Sequence, residues 1–340
     1  MALLEVKDLR TSFRTEDGIV KAVDGVTFSV EKGQTLGIVG ESGSGKSVTC
    51  LTIMGLNSRK SAISSGEALW KGKNLLTAKP SELRGIRGDE MSMIFQDPMT
   101  SLNPVHTIGK QLVEAVQLHR DVTTRVAKAR ALELLKAVGI PKAEGRIDDY
   151  PHQFSGGMRQ RVMIAMALIN DPDLLIADEP TTALDVTTQA QILSLMKRLQ
   201  EEFGSAIIMI THDLGVVAET ADDVVVMYAA EVVEQANVND LFNRPQHPYT
   251  WGLMGSLPRL EVDTERLVQI PGQPPSLLRP PKGCRFHPRC PYVMNVCRTV
   301  DPPLVPSERD ATHLQACHLD QDTKDREAKK LLEVTMVGTS

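Results

Sequence analysis

The residues from 40 to 47 have the spacing of a phosphate-binding loop. The stretch Gly40-Glu-Ser-Gly-Ser-Gly45-Lys46-Ser47 matches the pattern G-x-x-x-x-G-K-[ST] in full. Glycine lets the backbone approach an anion closely, and successive N–H groups at a helix start attract phosphate. Lys46 would reach the β- and γ-phosphates, and the Ser47 hydroxyl would bind Mg²⁺. By itself the motif predicts a nucleotide site and leaves kinases, GTPases and ATPases open.

An acidic pair stands at the end of an apolar stretch. The run Leu174-Leu-Ile-Ala177 has the length of a buried strand and leads directly into Asp178 and Glu179. A carboxylate at such a strand end can hold Mg²⁺ or one of its waters. The next carboxylate points to the opposite face and can act as a general base on a hydrolytic water. Without a phosphate loop, such a pair is equally typical of a surface turn.

Two other apolar stretches also end in polar side chains. Gln96 follows residues 91–95, and an amide there can bind Mg²⁺ and lie near an attacking water. His212 follows residues 206–211, where an imidazole can hydrogen-bond a γ-phosphate. Taken singly, each is also typical of a structural residue.

A second helix start suits phosphate as well. The segment Phe154-Ser155-Gly156-Gly157-Met158-Arg159-Gln160 precedes an apolar helix, and Ser155 is predicted to cap its N-terminus. The chain already has one phosphate loop. A second element of this kind therefore predicts a nucleotide held between two subunits.

The elements that carry these motifs alternate between strands and helices. Short antiparallel strands are predicted over residues 3–35, and buried strands are predicted before the phosphate loop and at 174–177 and 206–210. Residues 97–165 are predicted to be largely helical. There the apolar residues recur at helical spacing: Val126, Ala129, Leu132, Leu135 and Val138. The pattern predicts an α/β fold with a mostly parallel sheet.

Proline enrichment after residue 243 marks a change of organisation. We predict two domains: a nucleotide-binding domain at 1–243 and a loop-rich C-terminal domain at 244–340. The charged stretch Asp320–Lys330 is expected to be frayed.

Composition excludes several classes of protein. The 340 residues are 41% hydrophobic and 24% charged, with a net charge of −5, so broad affinity for nucleic acid or anionic lipid is not expected. The start, Met1-Ala-Leu-Leu-Glu-Val-Lys-Asp8, lacks the pattern of a secretory signal. No apolar run approaches the roughly 20 residues that span a bilayer. A membrane role must therefore come through partners.

The order and spacing of the motifs resemble those of ABC-type ATPases. The matching segments are the Walker A loop at 40–47, the Q-loop at Gln96, the signature Ser155-Gly-Gly157, the Walker B strand ending at Asp178, the catalytic Glu179, the D-loop Ala183-Leu-Asp185 and the switch His212. The resemblance implies a RecA-like parallel sheet core with an antiparallel β subdomain and a helical subdomain. It also implies that ATP lies between the Walker A loop of one subunit and the signature of the other.

This resemblance assigns roles to individual residues. Those implied to bind ATP are Phe13, Gly40, Ser42, Gly43, Gly45, Lys46, Ser47, Asp185 and, from the other subunit, Ser155, Gly156 and Gly157. Those implied to bind Mg²⁺ are Ser47, Gln96 and Asp178, and those implied in catalysis are Glu179, His212 and Gln96. Phe13 would stack on adenine, with a plain core role as the alternative. Phe154 and Met158 depart from the commonest signature, Leu-Ser-Gly-Gly-Gln, but hydrolysis is expected to be retained.

Other stretches are similar to the ATP-binding subunits of dipeptide and oligopeptide permeases, which are related to nickel permease ATPases. They are Met93-Ile-Phe-Gln-Asp-Pro-Met-Thr-Ser-Leu-Asn-Pro104, Ser155-Gly-Gly-Met-Arg-Gln-Arg-Val-Met-Ile-Ala165, His247-Pro-Tyr-Thr250 and Cys284-Arg-Phe-His-Pro-Arg-Cys290-Pro. Where that family usually has Tyr-Ala-Gly-Arg, this chain has Tyr228-Ala-Ala-Glu231, a departure without a functional interpretation.

The similarity implies a type I importer at the cytoplasmic face of the cell membrane. Its other members would be two permeases, an extracytoplasmic peptide-binding protein and a second, different ATPase. A permease helix would dock near residues 97–103. The solute, whether dipeptide, oligopeptide or nickel, is decided by the other subunits.

Four of the five cysteines are close together in the sequence. Their spacing is Cys284-x5-Cys290-x6-Cys297-x19-Cys317, which does not fit the usual C-x2-4-C pairs of zinc sites. Four thiolates from loops suit a [4Fe–4S] cluster at least as well, and the family resemblance also implies one. Zinc and four free thiols are the alternatives, and Cys50 is predicted to be a small buried residue. Three histidines are possible substitute ligands, although a surface position is expected for each: His287, His313 and His318.

Two other functions remain open at this point. One is a soluble ABC-type ATPase acting on nucleic acid or ribosomes, which generally carries a coiled-coil insertion or two cassettes. The other is a redox-gated regulator that uses ATP as a switch. The single cassette and the acidic balance argue against the first, and the complete Walker B motif with Glu179 argues against the second.

Overall fold

The structure, a computed structural model, describes residues 2–58, 60–97, 101–182, 184–256 and 270–336. Its strands are Leu4–Thr15 (β1), Gly18–Val30 (β2), Thr35–Val39 (β3), Ala62–Trp70 (β4), Lys73–Asn74 (β5), Met91–Ile94 (β6), Leu174–Asp178 (β7), Ala206–Thr211 (β8), Asp223–Tyr228 (β9), Glu231–Asn237 (β10), Val305–Pro306 (β11) and Leu314–Gln315 (β12).

Helices follow most of the strands. They are Lys46–Ile53 (α1), Pro80–Ile86 (α2), Ile108–Gln117 (α3), Thr124–Ala137 (α4), Ala143–Arg146 (α5), Gly156–Leu168 (α6), Val186–Phe203 (α7), Leu214–Thr220 (α8), Val238–Asn243 (α9), Pro248–Gly255 (α10) and Gln321–Met336 (α11). Short 3-10 turns occupy Pro151–Gln153 and Val296–Arg298.

The chain folds into two compact units. The first consists chiefly of Thr77–Ile210. In it β6 pairs with β7 in parallel, and β7 pairs with β8 in parallel. Every residue of β7 is buried, as expected for a continuous apolar strand in a parallel sheet covered on both faces.

The second unit combines Leu4–Ser29, Leu36–Leu76 and the residues from Thr211 onward. It contains an antiparallel sheet in the order β2-β1-β4-β5. It also contains a parallel pair, β3 with β9, which is extended by antiparallel pairing of β9 with β10 and of β10 with β12. The predicted α/β fold with a parallel core and an antiparallel β portion is confirmed.

The helix predicted around residues 126–138 is present as α4, but only part of the predicted apolar stripe is buried. Leu135 and Val138 are fully buried, whereas Val126 is 53% exposed and Ala129 is exposed. At the N-terminal end of the helix Ala127 is buried in place of Val126. The periodicity therefore identified the helix and the C-terminal part of its buried face, while the choice between adjacent apolar positions at the other end is made by the helices that pack on α4.

The expectation of a frayed tail at Asp320–Lys330 is wrong. Asp320 accepts hydrogen bonds from the N–H and hydroxyl of Thr323 at 2.8 and 2.9 Å, and α11 follows. Lys324 and Ala328, one turn apart, are buried. Most of the charged side chains therefore lie on the outer face of a packed helix, while Lys324 lies on its inner face. Within the described ranges, every helix is too short or too polar to cross a membrane.

Candidate functional site

The predicted phosphate loop connects β3 to α1 in the second unit. Gly40 has φ +153°, and a Cβ there would lie 2.1 Å from the Met227 carbonyl oxygen. Gly45 has φ +103°, and its Cβ would lie 2.3 Å from the Ala22 carbonyl oxygen. Both positions therefore require glycine for conformation and for space. The backbone of the loop is held against neighbouring strands by this close approach.

Lys46 is buried at the start of α1 and is turned back into the loop. Its ammonium donates to the carbonyl oxygens of Gly40 at 2.7 Å and Glu41 at 3.1 Å. Ser42 and Gly43 lie exposed at the tip of the loop, and Ser47 is half-buried. The Lys46 ammonium thus lies beside exposed loop backbone at the N-terminus of a helix. A cation and backbone N–H groups in this arrangement can bind an anion.

The acidic pair lies at the end of β7 in the first unit. Asp178 is 7% exposed, and the backbone of Glu179 has φ +47° while its N–H donates to the Ile210 carbonyl oxygen at 2.9 Å. Glu179 Oε2 accepts hydrogen bonds from Gln96 Nε2 at 3.1 Å and from the Thr182 hydroxyl at 2.8 Å. The structure thus joins two residues that are far apart in sequence and were separately predicted to act on water.

The signature segment begins α6, also in the first unit. The Ser155 hydroxyl accepts from the Met158 N–H at 3.4 Å, as predicted for an N-cap. Ser155 and Gly156 are exposed, so this helix start is accessible to another molecule. A Cβ on Gly157 would lie 3.0 Å from the Thr188 methyl group.

Asp185 caps the next helix, α7. Its carboxylate accepts from the Thr188 N–H at 2.9 Å and from the Thr188 hydroxyl at 2.7 Å. These hydrogen bonds lower the pKa of Asp185 below its ordinary value. Ala183, which precedes it in the D-loop, lies outside the described residues.

Two residues of the second unit that were predicted to contact ATP, Phe13 and His212, are not fully buried. Phe13 is half-buried on β1, opposite Ala62 of β4. His212 is exposed directly after β8, and the following Asp213 caps α8 by accepting from the Gly215 N–H at 2.8 Å.

The four clustered cysteines converge on one small pocket in the second unit. Cys284, Cys290, Cys297 and Cys317 all line it, together with His287 and His318. The pKa of the Cys284 and Cys290 thiols is raised to about 12, chiefly by burial, and nearby cysteines contribute to the rise. In the part of the chain that the structure describes, no group of three or more His, Cys, Asp or Glu residues is arranged to hold a single metal ion.

The expected surface position of His313 is wrong. It is 2% exposed, and its Nε2 lies 2.7 Å from Oε1 of the fully buried Glu234. His313 therefore belongs to a buried polar network and does not line the cysteine pocket. Cys50 is fully buried, as predicted.

The structure contains a contact between the phosphate loop and the C-terminal region that the sequence did not indicate. Arg289 forms a bidentate ion pair with Glu41, with distances of 2.5 and 3.0 Å. Tyr249 accepts from the Glu41 N–H at 2.8 Å. No local pattern reveals such a pair, since its two members are separated by 248 positions.

Fold and motifs together define an ABC-type ATP-binding cassette. The family model described as ABC transporter matches residues 23–182, and the one described as oligopeptide/dipeptide transporter, C-terminal region, matches residues 233–297. A dimeric ATP-binding cassette solved in a post-hydrolysis state with ADP and Pi is 29% identical, with a TM-score of 0.62 over 69% of this chain and 98% of that chain.

Two curated relatives are similar along most of the chain. The dipeptide transport ATP-binding protein DppD of Lactococcus lactis subsp. cremoris is 57% identical over 88% of this chain and 86% of its own length. The oligopeptide transport ATP-binding protein OppD of Escherichia coli is 53% identical over 93% of both chains. The protein belongs to this family of ABC transporter ATP-binding subunits and is an ATPase of that type.

Proposed function

We propose that this protein hydrolyses ATP to power a type I ABC importer of di- and oligopeptides. The observation that carries the proposal is the extent of the similarity to peptide-transport ATP-binding subunits, which includes the C-terminal region beyond the cassette. The same extent argues against a soluble ATPase or a redox regulator unconnected with transport.

Different nucleotide motifs would bind the phosphates, the adenine and the Mg²⁺ ion. Lys46 and the loop N–H groups would bind the phosphates, and Phe13 would stack on adenine. A Mg²⁺ ion held by Ser47, Gln96 and Asp178 would neutralise phosphate charge.

The catalytic step would depend on a held carboxylate. Glu179 would accept a proton from the attacking water, and its hydrogen bonds from Gln96 and Thr182 keep one carboxylate oxygen in a fixed position. His212 would contact the γ-phosphate.

ATP would be enclosed by a second ATPase subunit. The exposed N-terminus of α6, with Ser155, Gly156 and Gly157, would contact the nucleotide bound to the partner. The dimeric state of the similar cassette supports this arrangement. We infer a heterodimer with a different ATPase subunit, with Asp185 near the interface.

The remaining partners would be two transmembrane permeases and an extracytoplasmic peptide-binding protein. The protein would then be peripheral, on the cytoplasmic face of the cell membrane. Each permease would dock near residues 97–103, of which 98–100 lie outside the described part of the chain. The division into domains at 1–243 and 244–340 also stays a prediction.

We further propose that the cysteine pocket holds a [4Fe–4S] cluster. Four thiols around one enclosed space fit such a cluster, which needs a ligand for each iron. The spacing of these cysteines does not fit the C-x2-4-C pairs that are usual in zinc sites, which favours a cluster over the zinc alternative. The raised pKa values of Cys284 and Cys290 mean that binding must displace their protons. The cluster would cross-link loops that have little core of their own.

Anaerobic purification followed by iron and acid-labile sulfide assays tests the cluster. The expected result is a brown protein with about four irons and four sulfides per chain, lost in Cys290→Ser, while Cys50→Ser as the matched control retains them. A colourless protein with one zinc per chain would refute the cluster.

Purification of the native complex from its own cells in mild detergent tests the transport function. Two integral permeases, a second ATPase and a binding protein are expected to co-purify. If no membrane protein accompanies the chain under gentle conditions, the importer assignment fails. In parallel, Lys46→Ala is expected to lose ATP binding, which tests the nucleotide site independently of any partner.

A further inference from the structure

The second residue of the phosphate loop is held by three separate elements. The Glu41 carboxylate pairs with Arg289, its N–H donates to the Tyr249 hydroxyl, and its carbonyl accepts from Lys46. The Ser44 N–H also donates to this carbonyl, at 3.2 Å. Every polar group of Glu41 thus has a partner, so this residue is fixed within the loop.

The holding groups form a closed network, which we call the Glu41 clamp: Arg289, Tyr228 and Tyr249. Arg289 Nη1 donates to the Tyr228 hydroxyl at 3.3 Å, and the rings of Tyr228 and Tyr249 pack with centroids 4.6 Å apart. The network therefore returns to Glu41 through Tyr249. Both tyrosine side chains are almost fully buried.

Arg289 is itself anchored by backbone oxygens of the C-terminal region. Its Nε donates to the Pro271 carbonyl at 2.9 Å and its Nη2 to the Ile270 carbonyl at 3.2 Å. The Arg289 side chain is 4% exposed, against 28% for Glu41. A planar guanidinium held at this depth presents a fixed fork, which a lysine cannot reproduce.

The pair also has an electrostatic consequence for a phosphate ligand. A carboxylate in the loop that binds a triphosphate would repel it unless its charge were neutralised. Arg289 supplies that neutralisation in bidentate geometry. It also holds the Glu41 side chain within the clamp.

We propose that Arg289 is a positioning residue for ATP binding, acting through Glu41 to fix and neutralise the phosphate loop. The inference rests on the proposal that residues 40–47 bind the phosphates of ATP. It makes the C-terminal region a part of the nucleotide site. The same short segment then serves two sites, because Arg289 belongs to the Glu41 clamp and the next residue, Cys290, lines the cysteine pocket.

The test is a comparison of ATP affinity and turnover in the full chain. Arg289→Gln is expected to raise the Kd for Mg–ATP about tenfold, with kcat at saturating ATP within about twofold of the wild type. Arg289→Lys keeps the charge but loses the fork, and an intermediate Kd is expected. Glu41→Gln combined with Arg289→Gln is expected to bind no more weakly than Arg289→Gln alone, because both changes act through one contact.

Arg285→Gln is the matched control. Arg285 is similarly buried in the same region, but it pairs with Asp24 and Glu231. This variant is expected to lower the urea midpoint while leaving the Kd within about twofold. If Arg285→Gln weakens ATP binding as much as Arg289→Gln, a general loss of stability explains both and the proposal is wrong.

Two further results would overturn the clamp. One is an unchanged Kd in Arg289→Gln, and the other is a double variant that binds Mg–ATP more weakly than Arg289→Gln alone. If Arg289→Gln does not fold, Arg289→Lys decides, since a wild-type Kd in this variant contradicts the need for a fork. Failure of the wild-type chain to bind ATP would instead refute the nucleotide site itself.

Discussion

Replacement of Glu234 by glutamine is expected to destabilise the C-terminal part of the protein strongly. The Glu234 side chain is fully buried on β10 and accepts four hydrogen bonds. The donors are the N–H groups of Gln246 and His247 at 2.6 and 3.0 Å, the Thr250 hydroxyl at 2.6 Å and His313 Nε2 at 2.7 Å. The carboxylate therefore joins β10, the start of α10 and the loop before β12.

The cost follows from what each donor can do when one carboxylate oxygen becomes an NH₂ group. The Thr250 hydroxyl can rotate and the His313 imidazole can present a lone pair, but a backbone N–H cannot change its role. Either orientation of the amide leaves one backbone N–H, of Gln246 or His247, buried against a donor. An unsatisfied buried N–H costs about 1–3 kcal/mol, and the loss of charge-assisted bonds adds to it. We therefore expect the free energy of unfolding to fall by about 2–4 kcal/mol.

Urea unfolding followed by tryptophan fluorescence measures this effect. Trp251 is a local reporter, because its indole N–H donates to the Pro245 carbonyl at 2.8 Å beside the network. Glu133→Gln is the control, since the Glu133 side chain is 65% exposed where it pairs with Arg130, and its replacement should change stability by less than about 0.5 kcal/mol. A Glu234→Gln variant as stable as this control would refute the reasoning.

Two other predictions concern catalysis and pH. Glu179→Gln should keep ATP binding but lower phosphate release about 10²- to 10⁴-fold, and normal turnover would remove Glu179 from its role. Burial, the largest cause, raises the pKa of Glu231 in the folded protein from 4.5 to about 8, although Arg285 opposes the shift. Because the folded state then holds a proton that the unfolded state has lost, this stabilising contribution is complete below about pH 4.5 and disappears as the pH rises through about 8. Urea midpoints measured at pH 5.5 and pH 8.5 should therefore fall more between these two values for the wild type than for Glu231→Gln. Equal changes in the two proteins would contradict the raised pKa.

The chemistry of the site could be predicted from the sequence wherever it depends on neighbours along the chain. The phosphate loop, the carboxylate after β7 and the cap of α6 each occupy one strand–loop or loop–helix junction. At such junctions backbone geometry follows from residue type: glycine at Gly40 and Gly45 permits a positive φ, and Ser155 accepts from the N–H three residues on. Order and spacing alone were therefore enough to indicate the family.

Other features depend on elements that meet only in the folded chain. Periodicity marked α4 as a helix but could not show that Ala127 and Ala131, and not Val126, face the core. Spacing could not tell whether four cysteines share a pocket, or that His313 would be buried against Glu234.

The pairing of Glu41 with Arg289 is the clearest example of a feature that only the folded chain reveals. In the sequence, a glutamate in a glycine-rich loop and an arginine in a proline-rich segment carry no local sign of each other. Long-range contacts of this kind are decided by which strands pair and which loops those strands bring together. The sequence by itself thus determined which residues are expected to bind and cleave a nucleotide, because their types and spacing follow from neighbours along the chain, and the tertiary structure decided which distant side chains contact them.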